Sequence, residues 1–278
     1  MCRLYGFRAN EPTKVECSLV HAQNALMRQS KSDSKGESHS DGWGIGCYDG
    51  DRPAIEKREL AAWEDLHFGA AAERVYARTV IAHVRNATVG GATIENTHPF
   101  SHGRWLFAHN GTVRPLDKLR ERLEEETESE LLARRRGDTD SELTFYWLLS
   151  RMRAAGVDLD QKTASAEELA AILVRAVTTL DERSRVAGSE RPAMLNFVLT
   201  DGVRLAASRH RRTLWWLERE GVHDCEICGI PHIRHDPSVE YRAAVVASEP
   251  ITNEAWREVP DGSVVAIDED LRTMVVTI

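Results

Sequence analysis

Met1-Cys2-Arg3-Leu4-Tyr5-Gly6-Phe7 opens the chain, and the second residue governs how the rest is read. Cys has a small side chain, so aminopeptidase removal of Met1 is expected to be permitted. Trimming would leave a free α-amine and a thiol on one residue. An α-amine has a pKa of roughly 7.7–8 and a thiol roughly 8.5, so the amine can take the thiol's proton near neutral pH. The competing reading is an ordinary buried cysteine used as a small apolar residue.

The 278 residues carry a formal charge of −8, with 42% apolar and 29% charged side chains. That composition suits a globular chain with a sizeable core and lacks the basic footprint of a nucleic-acid binder. No apolar run approaches the roughly 20 residues of a membrane span, and Arg3 and Arg8 interrupt the first segment where a signal peptide would need an apolar core. Five cysteines, at 2, 17, 47, 225 and 228, give no disulfide framework. A reducing cytoplasm is therefore the expected compartment.

Short β-like runs crowd both ends, at 4–8, 43–48, 80–84 and 105–108, then at 194–200, 203–207, 213–217, 243–247, 263–267 and 274–278. Helical spacing of leucines and aromatics occupies 115–136, 139–155 (with Asp140 as its cap) and 166–185. Strands, then helices, then strands predict an α+β fold of packed sheets with helices outside. No linker divides the chain, so one domain over 1–278 is expected. The polar stretch 28–40 reads as a mobile loop, either plainly solvated or lid-like.

Several motifs carry chemistry. His83-Val84-Arg85-Asn86-Ala87-Thr88-Val89-Gly90-Gly91 places an Arg at a strand end, suited to a two-pronged grip on a carboxylate or to a surface ion pair. Asn96-Thr97-His98-Pro99-Phe100 follows. In Ala108-His109-Asn110-Gly111 an amide and a glycine N–H are natural donors to an oxyanion, although Asn-Gly is also a common hairpin turn. Asp138-Thr139-Asp140-Ser141-Glu142 offers a helix cap or a carboxylate for an ammonium group.

Taken in order, these motifs, with Asp41-Gly42-Trp43-Gly44 and Ala247-Ser248-Glu249-Pro250, resemble the class II glutamine amidotransferases, which are N-terminal-nucleophile (Ntn) hydrolases. The likeness extends to stand-alone members that cleave γ-glutamyl amides in ergothioneine formation and glutathione breakdown. It implies a four-layer αββα sandwich of two mainly antiparallel sheets with outer helices. It implies Cys2 as nucleophile with its own α-amine as base, and Asn110 with the Gly111 N–H as oxyanion hole. Arg85 would hold the α-carboxylate of a glutamyl group, Asp140 its α-ammonium, and Thr88 and His98 would line the pocket, partly through backbone atoms. The implied ligand is a small γ-glutamyl compound, with no cofactor and no metal in that pocket. A glutaminase subunit feeding ammonia to a separate synthase, or an inactive γ-glutamyl-binding module, are the alternatives, and an oligomer is possible. Where glucosamine-phosphate synthases have Trp after the Arg and His after the Thr, this chain has Asn86 and Val89.

Cys225-Glu226-Ile227-Cys228 followed by His232 and His235 stands outside those motifs. It has zinc-ligand chemistry, but its Cys-to-His spacer is far shorter than a zinc finger's. A structural zinc site, a loop at the active-site mouth and an incidental Cys/His-rich turn remain open readings.

Overall fold

In a computed structural model, which describes residues 2–161, 164–233 and 238–278, two antiparallel sheets stack face to face. The chain begins with β1 (Arg3–Lys14), a short π-helical turn (Cys17–His21) and α1 (Leu26–Lys31). The hairpin β2 (Trp43–Asp49) and β3 (Arg52–Arg58), then α2 (Leu66–Arg74) and β4 (Tyr76–Val84), follow. Next come β5 (Phe100–His102), β6 (Trp105–Thr112), α3 (Leu116–Glu125), α4 (Ser129–Leu132), α5 (Asp140–Ala154) and α6 (Ala166–Val186). The last strands are β7 (Met194–Thr200), β8 (Leu205–Arg209), β9 (Trp215–Glu220), β10 (Arg242–Ala247), β11 (Arg257–Glu258), β12 (Ser263–Ile267) and β13 (Thr273–Thr277).

One sheet runs β11-β9-β10-β1-β4-β2-β3 and the other β13-β12-β8-β7-β6-β5. Strand alternation explains the layers. Leu4 of β1 packs between the sheets with Ile81, Leu106, Val198, Val246 and Val265. Tyr5, Phe7 and Ala9 instead join Leu26, Trp43 and Phe68 under α1 and α2. The far face of the second sheet packs Trp105, Phe107 and Phe197 against Phe145, Trp147 and Leu173 of α5 and α6. The order is helices, sheet, sheet, helices, the αββα arrangement expected. Among the described residues no helix is long and apolar enough to cross a membrane.

β1 lies inside its sheet, between β10 (Tyr5↔Ala247) and β4 (Arg3↔Val84). Pairing with β4 is irregular between Arg8 and Thr13, around Pro12, which has no N–H to give a ladder.

Several local expectations differ from the structure. The pattern at 115–136 is two helices, α3 and α4, because the residues between them bond elsewhere. Glu126 takes both guanidinium nitrogens of Arg183 (2.9 and 2.7 Å) and the Trp147 indole N–H (2.9 Å), while the Glu128 N–H donates to Ser150 Oγ (3.0 Å). The cap of α5 is Thr139, whose hydroxyl accepts from the Glu142 N–H (3.1 Å), and Asp140 is the first helical residue. Thr139 meets the helix's need for a cap, so the Asp140 carboxylate is available elsewhere. The segment 28–40 contains the end of α1, and the loop after it is bonded to buried groups described below.

A close approach fixes one glycine. A Cβ on Gly44 of β2 would collide with the His98 carbonyl oxygen and lie 2.9 Å from Lys57 Cγ. Gly44→Ala is therefore expected to destabilise the fold by about 1–3 kcal/mol, read as a lower denaturant midpoint at unchanged slope.

Candidate active site around Cys2

The Cys2 side chain is buried at the head of β1, beside the end of β4. The Asn86 N–H donates to its Sγ (3.4 Å), and the thiol faces the Asn86 carbonyl (3.5 Å). Burial pushes the thiol pKa up, and Asn86 and the Arg85 charge oppose that while Asp140 reinforces it. The resting group is thus a thiol that needs a base. Arg85 and Asp140 both lie close enough for their charges to reach it.

Two distant segments hold this chain end in place through Arg3. Its Nη1 donates to the Cys2 carbonyl (3.0 Å), its Nε to Glu249 Oε1 (2.9 Å), and its Nη2 to Asp33. Asp33 also accepts the backbone N–H groups of Lys35 (2.8 Å) and Glu37 (2.9 Å), and Glu249 accepts the Ser34 hydroxyl (2.7 Å). Burial alone would raise the pKa of both carboxyls. Backbone donors and Arg3 at Asp33, and Ser34 and Arg3 at Glu249, hold both below the ordinary carboxylate range.

Asn110 and Gly111 lie inside β6, not in a hairpin turn. Ser248 ties the amide to the nucleophile's strand. Its Oγ accepts from Asn110 Nδ2 (3.1 Å) and from the Leu4 N–H (3.0 Å). Opposite Gly111 stands Leu195, whose own N–H goes to His210 O (3.1 Å), toward β8. Antiparallel neighbours exchange backbone bonds only at alternate pairs, so the Gly111 N–H faces away from β7. Gly111 also has no room for a side chain: a Cβ would strike the Met194 carbonyl and sit 2.7 Å from His109 Nε2.

Asp140 Oδ2 accepts the Val113 N–H (2.6 Å), which pins the carboxylate just beyond β6. Its neighbour Ser141 meets His109 Nδ1 (2.9 Å), while His109 Nε2 lies 2.9 Å from the Met194 carbonyl. A carbonyl only accepts, so Nε2 carries the proton and Nδ1 receives the Ser141 hydroxyl. The Thr88 hydroxyl pairs with that of Thr112 (3.0 Å).

Arg85 is buried, and its guanidinium donates to the carbonyls of Gly91 (2.7 Å), Val89 (2.9 Å) and Gly90 (3.2 Å). Those bonds shape the turn beside Thr88, and a bound carboxylate would exchange with some of them. The His98 ring lies under the strand ends, 4.2 Å from His83 and 4.6 Å from Phe100 between centroids. Neither ring nitrogen has a hydrogen-bond partner among the described residues. The His98 carbonyl approaches Gly44.

Sequence reasoning missed the supporting residues. Asn96 Nδ2 donates to Asp138 (2.7 Å) and to Gly91 O (3.1 Å), joining two quoted motifs. Ser248 and Glu249 stood in a quoted motif without a role, and Arg3 and Asp33 gave no local signal.

Elsewhere, Cys17, Cys225, Cys228 and His232 gather, all their ligand atoms within 4.8 Å of one another. His235 lies outside the described residues. Cys17, Cys225 and His232 border a cavity of about 460 Å³ that Cys2, Arg85 and Asn110 do not line.

The buried histidines make the fold acid-sensitive. Burial pulls His39 down to about 4 and His83 to about 3, and lowers His98 well below its ordinary value. Between an unfolded pKa of roughly 6.5 and these values the unfolded chain binds more protons, so stability falls as pH falls. Each group contributes up to about 1.4 kcal/mol per pH unit. Urea melts at pH 7.5 and 5.0 are expected to show a lower midpoint at the acid value. His39→Asn should flatten that dependence.

The family model described as glutamine amidotransferases class-II matches residues 1–276. The probable glutamine amidotransferase DUG3 of Saccharomyces cerevisiae is 27% identical over 295 residues, covering 96% of this chain and 82% of its own. The gamma-glutamyl-hercynylcysteine sulfoxide hydrolase of Mycobacterium tuberculosis is 26% identical over 276 residues, covering 97% and 94%. Among solved structures, a glutamine aminotransferase class-II domain protein from Silicibacter pomeroyi superposes with a TM-score of 0.64 at 21% identity, covering 99% of each chain, a likeness of fold.

Proposed function

Since the chain belongs to the class II glutamine amidotransferases and is a hydrolase by that kinship, we propose that it cleaves the γ-amide of glutamine or of another γ-glutamyl compound through Cys2 as its mature first residue. The observation that carries this reading is the buried Cys2 thiol held at Asn86, within reach of the charges of Arg85 and Asp140. A glutamyl group is a zwitterion, and this pair supplies one cation and one anion beside a single nucleophile.

In the proposed reaction the α-amine of Cys2 accepts the thiol proton as sulfur bonds to the γ-carbonyl carbon. Charge moves to the carbonyl oxygen, where Asn110 Nδ2 and the Gly111 N–H donate. Collapse breaks the carbon–nitrogen bond, and the ammonium of Cys2 returns its proton to the leaving amine. Water then attacks the thioester, its proton passing through the same amine, and glutamate leaves with the thiol restored. Arg85 binds the α-carboxylate and Asp140 the α-ammonium. Thr88, tied to Thr112, and the His98 backbone shape the walls.

Support for the donor pair comes from Gly111, whose N–H direction and lack of side-chain space suit a carbonyl oxygen arriving from the open side of β6. Support for Asp140 comes from Thr139, which caps α5 in its place.

The test combines mass and rate. Intact mass should show loss of Met1, and a glutamine-like electrophile should label Cys2. Cys2→Ala should lower turnover of γ-glutamyl amides by at least about three orders of magnitude while retaining ligand binding. A chain that keeps Met1, or an alanine variant with undiminished turnover, would sink the mechanism. Because the base must be unprotonated, kcat/KM should fall with acid below a pKa of roughly 7.7–8. Arg85→Lys should raise KM more than it lowers kcat, since a two-pronged carboxylate grip is lost.

A further inference from the structure

The far end of β1 carries a second sulfur centre. After Lys14 the chain turns through Cys17, and the segment between β9 and β10 folds back over that turn. The Lys14 N–H donates to the His232 carbonyl (2.8 Å), and Thr13 bridges to Ile233. Within the segment, the Gly229 N–H donates to the Cys225 carbonyl (2.8 Å) and the Cys225 N–H to the Ile230 carbonyl (3.1 Å). This tight turn brings its two thiols together. The Ile227 N–H donates to Cys225 Sγ (3.4 Å), and Cys228 Sγ lies 3.2 Å from His232 Nε2.

We propose that Cys17, Cys225, Cys228 and His232 bind one zinc ion in a closed, structural Cys₃His site. Zinc bonds to sulfur at about 2.3 Å and to imidazole nitrogen at about 2.0–2.1 Å in a tetrahedron. Its ligand atoms then stand roughly 3.5–3.8 Å apart, so a set already within 4.8 Å closes on an ion by small side-chain shifts. Three thiols and an imidazole are soft and borderline ligands that select zinc over magnesium or calcium. Four protein ligands fill the tetrahedron and leave no position for water, which makes the site structural.

Binding replaces three thiol protons with the ion, releasing them to solvent, so affinity rises with pH. The ion ties the 221–233 segment, which has no named helix or strand, to the turn after β1. Cys228 and Ile230 are exposed there, and Val222, Ile227 and Ile233 are only partly buried against the core. Twelve residues of β1 separate this centre from Cys2, roughly 40 Å of extended strand, so the ion has no part in amide chemistry.

The full-length protein, purified with a phosphine reductant and without chelator or metal-affinity resin, should contain about one zinc per chain. Cys228→Ser, at an exposed position, should lower that content at least fivefold and lower Tm, while γ-glutamyl amide turnover below Tm stays within twofold of the parent. Cobalt(II) added to chelator-stripped protein should give thiolate-to-metal charge transfer and intense visible bands of tetrahedral coordination. Less than a tenth of an equivalent of zinc together with no cobalt–thiolate band would overturn the site. Undiminished zinc in Cys17→Ser would overturn its assigned fourth ligand.

Discussion

A buried guanidinium places the head of this chain. Arg3 is 3% exposed and sits between Asp33 and Glu249 with the Cys2 carbonyl on its third side. Residues at the head of a chain have few preceding contacts to hold them, and termini fray unless tied. Here the tie is ionic and draws on two distant segments, the loop after α1 and the residues after β10. A buried cation is tolerated only with its partners in place, and removing one typically costs several kcal/mol. The arrangement makes the position of Cys2 conditional on correct closure of the whole first sheet.

The surroundings of Cys2 hold a simple charge pattern. The nearby histidines are neutral: burial lowers His39, His83, His98 and His109 alike. His83 Nε2 meets the His109 carbonyl at 3.3 Å and His109 meets Ser141. The imidazoles therefore act as uncharged spacers and hydrogen-bond carriers under the strand ends. Arg85 keeps its charge, as arginine does in proteins, and lies within reach of the Asp140 charge. That leaves the charges around the thiol to arginines and carboxylates, with no protonated histidine among them.

The alternating strands were the most legible part of the sequence. The runs at 194–200 and 263–267 coincide with β7 and β12, because each is buried on a pleated face. What escaped was decided by partners far along the chain. The α3–α4 break depends on Arg183 taking Glu126, and no local pattern in 115–136 contains that arginine. β3 and α2 were missed because charged residues and alanines dilute their periodicity. In the site, the ordered motifs located Cys2, Arg85, Asn110, Gly111 and Asp140 as candidates. The cap register was misplaced by one residue because Thr139 and Asp140 are both good caps. Thr139 prevailed, which directs Asp140 to the Val113 N–H.

The two sulfur centres illustrate how position alters what a cysteine does. Both are fixed by β1, one before its first residue and one beyond its last. Cys2 stands apart from other thiols and near Arg85, which eases formation of a single thiolate when a proton acceptor is present. Cys17 stands against two more thiols, where three negative charges in one place require a cation to coexist. CxxC-HxxH pointed to three of the four ligands of the second centre, and the tight spacing argued against a zinc finger. Cys17 lies more than 200 residues earlier and becomes a neighbour only because Thr13 and Lys14 pair with Ile233 and His232. The strand that carries Cys2 at its head therefore also brings Cys17 to the other cluster, and both ends belong to one strand laddered between β10 and β4.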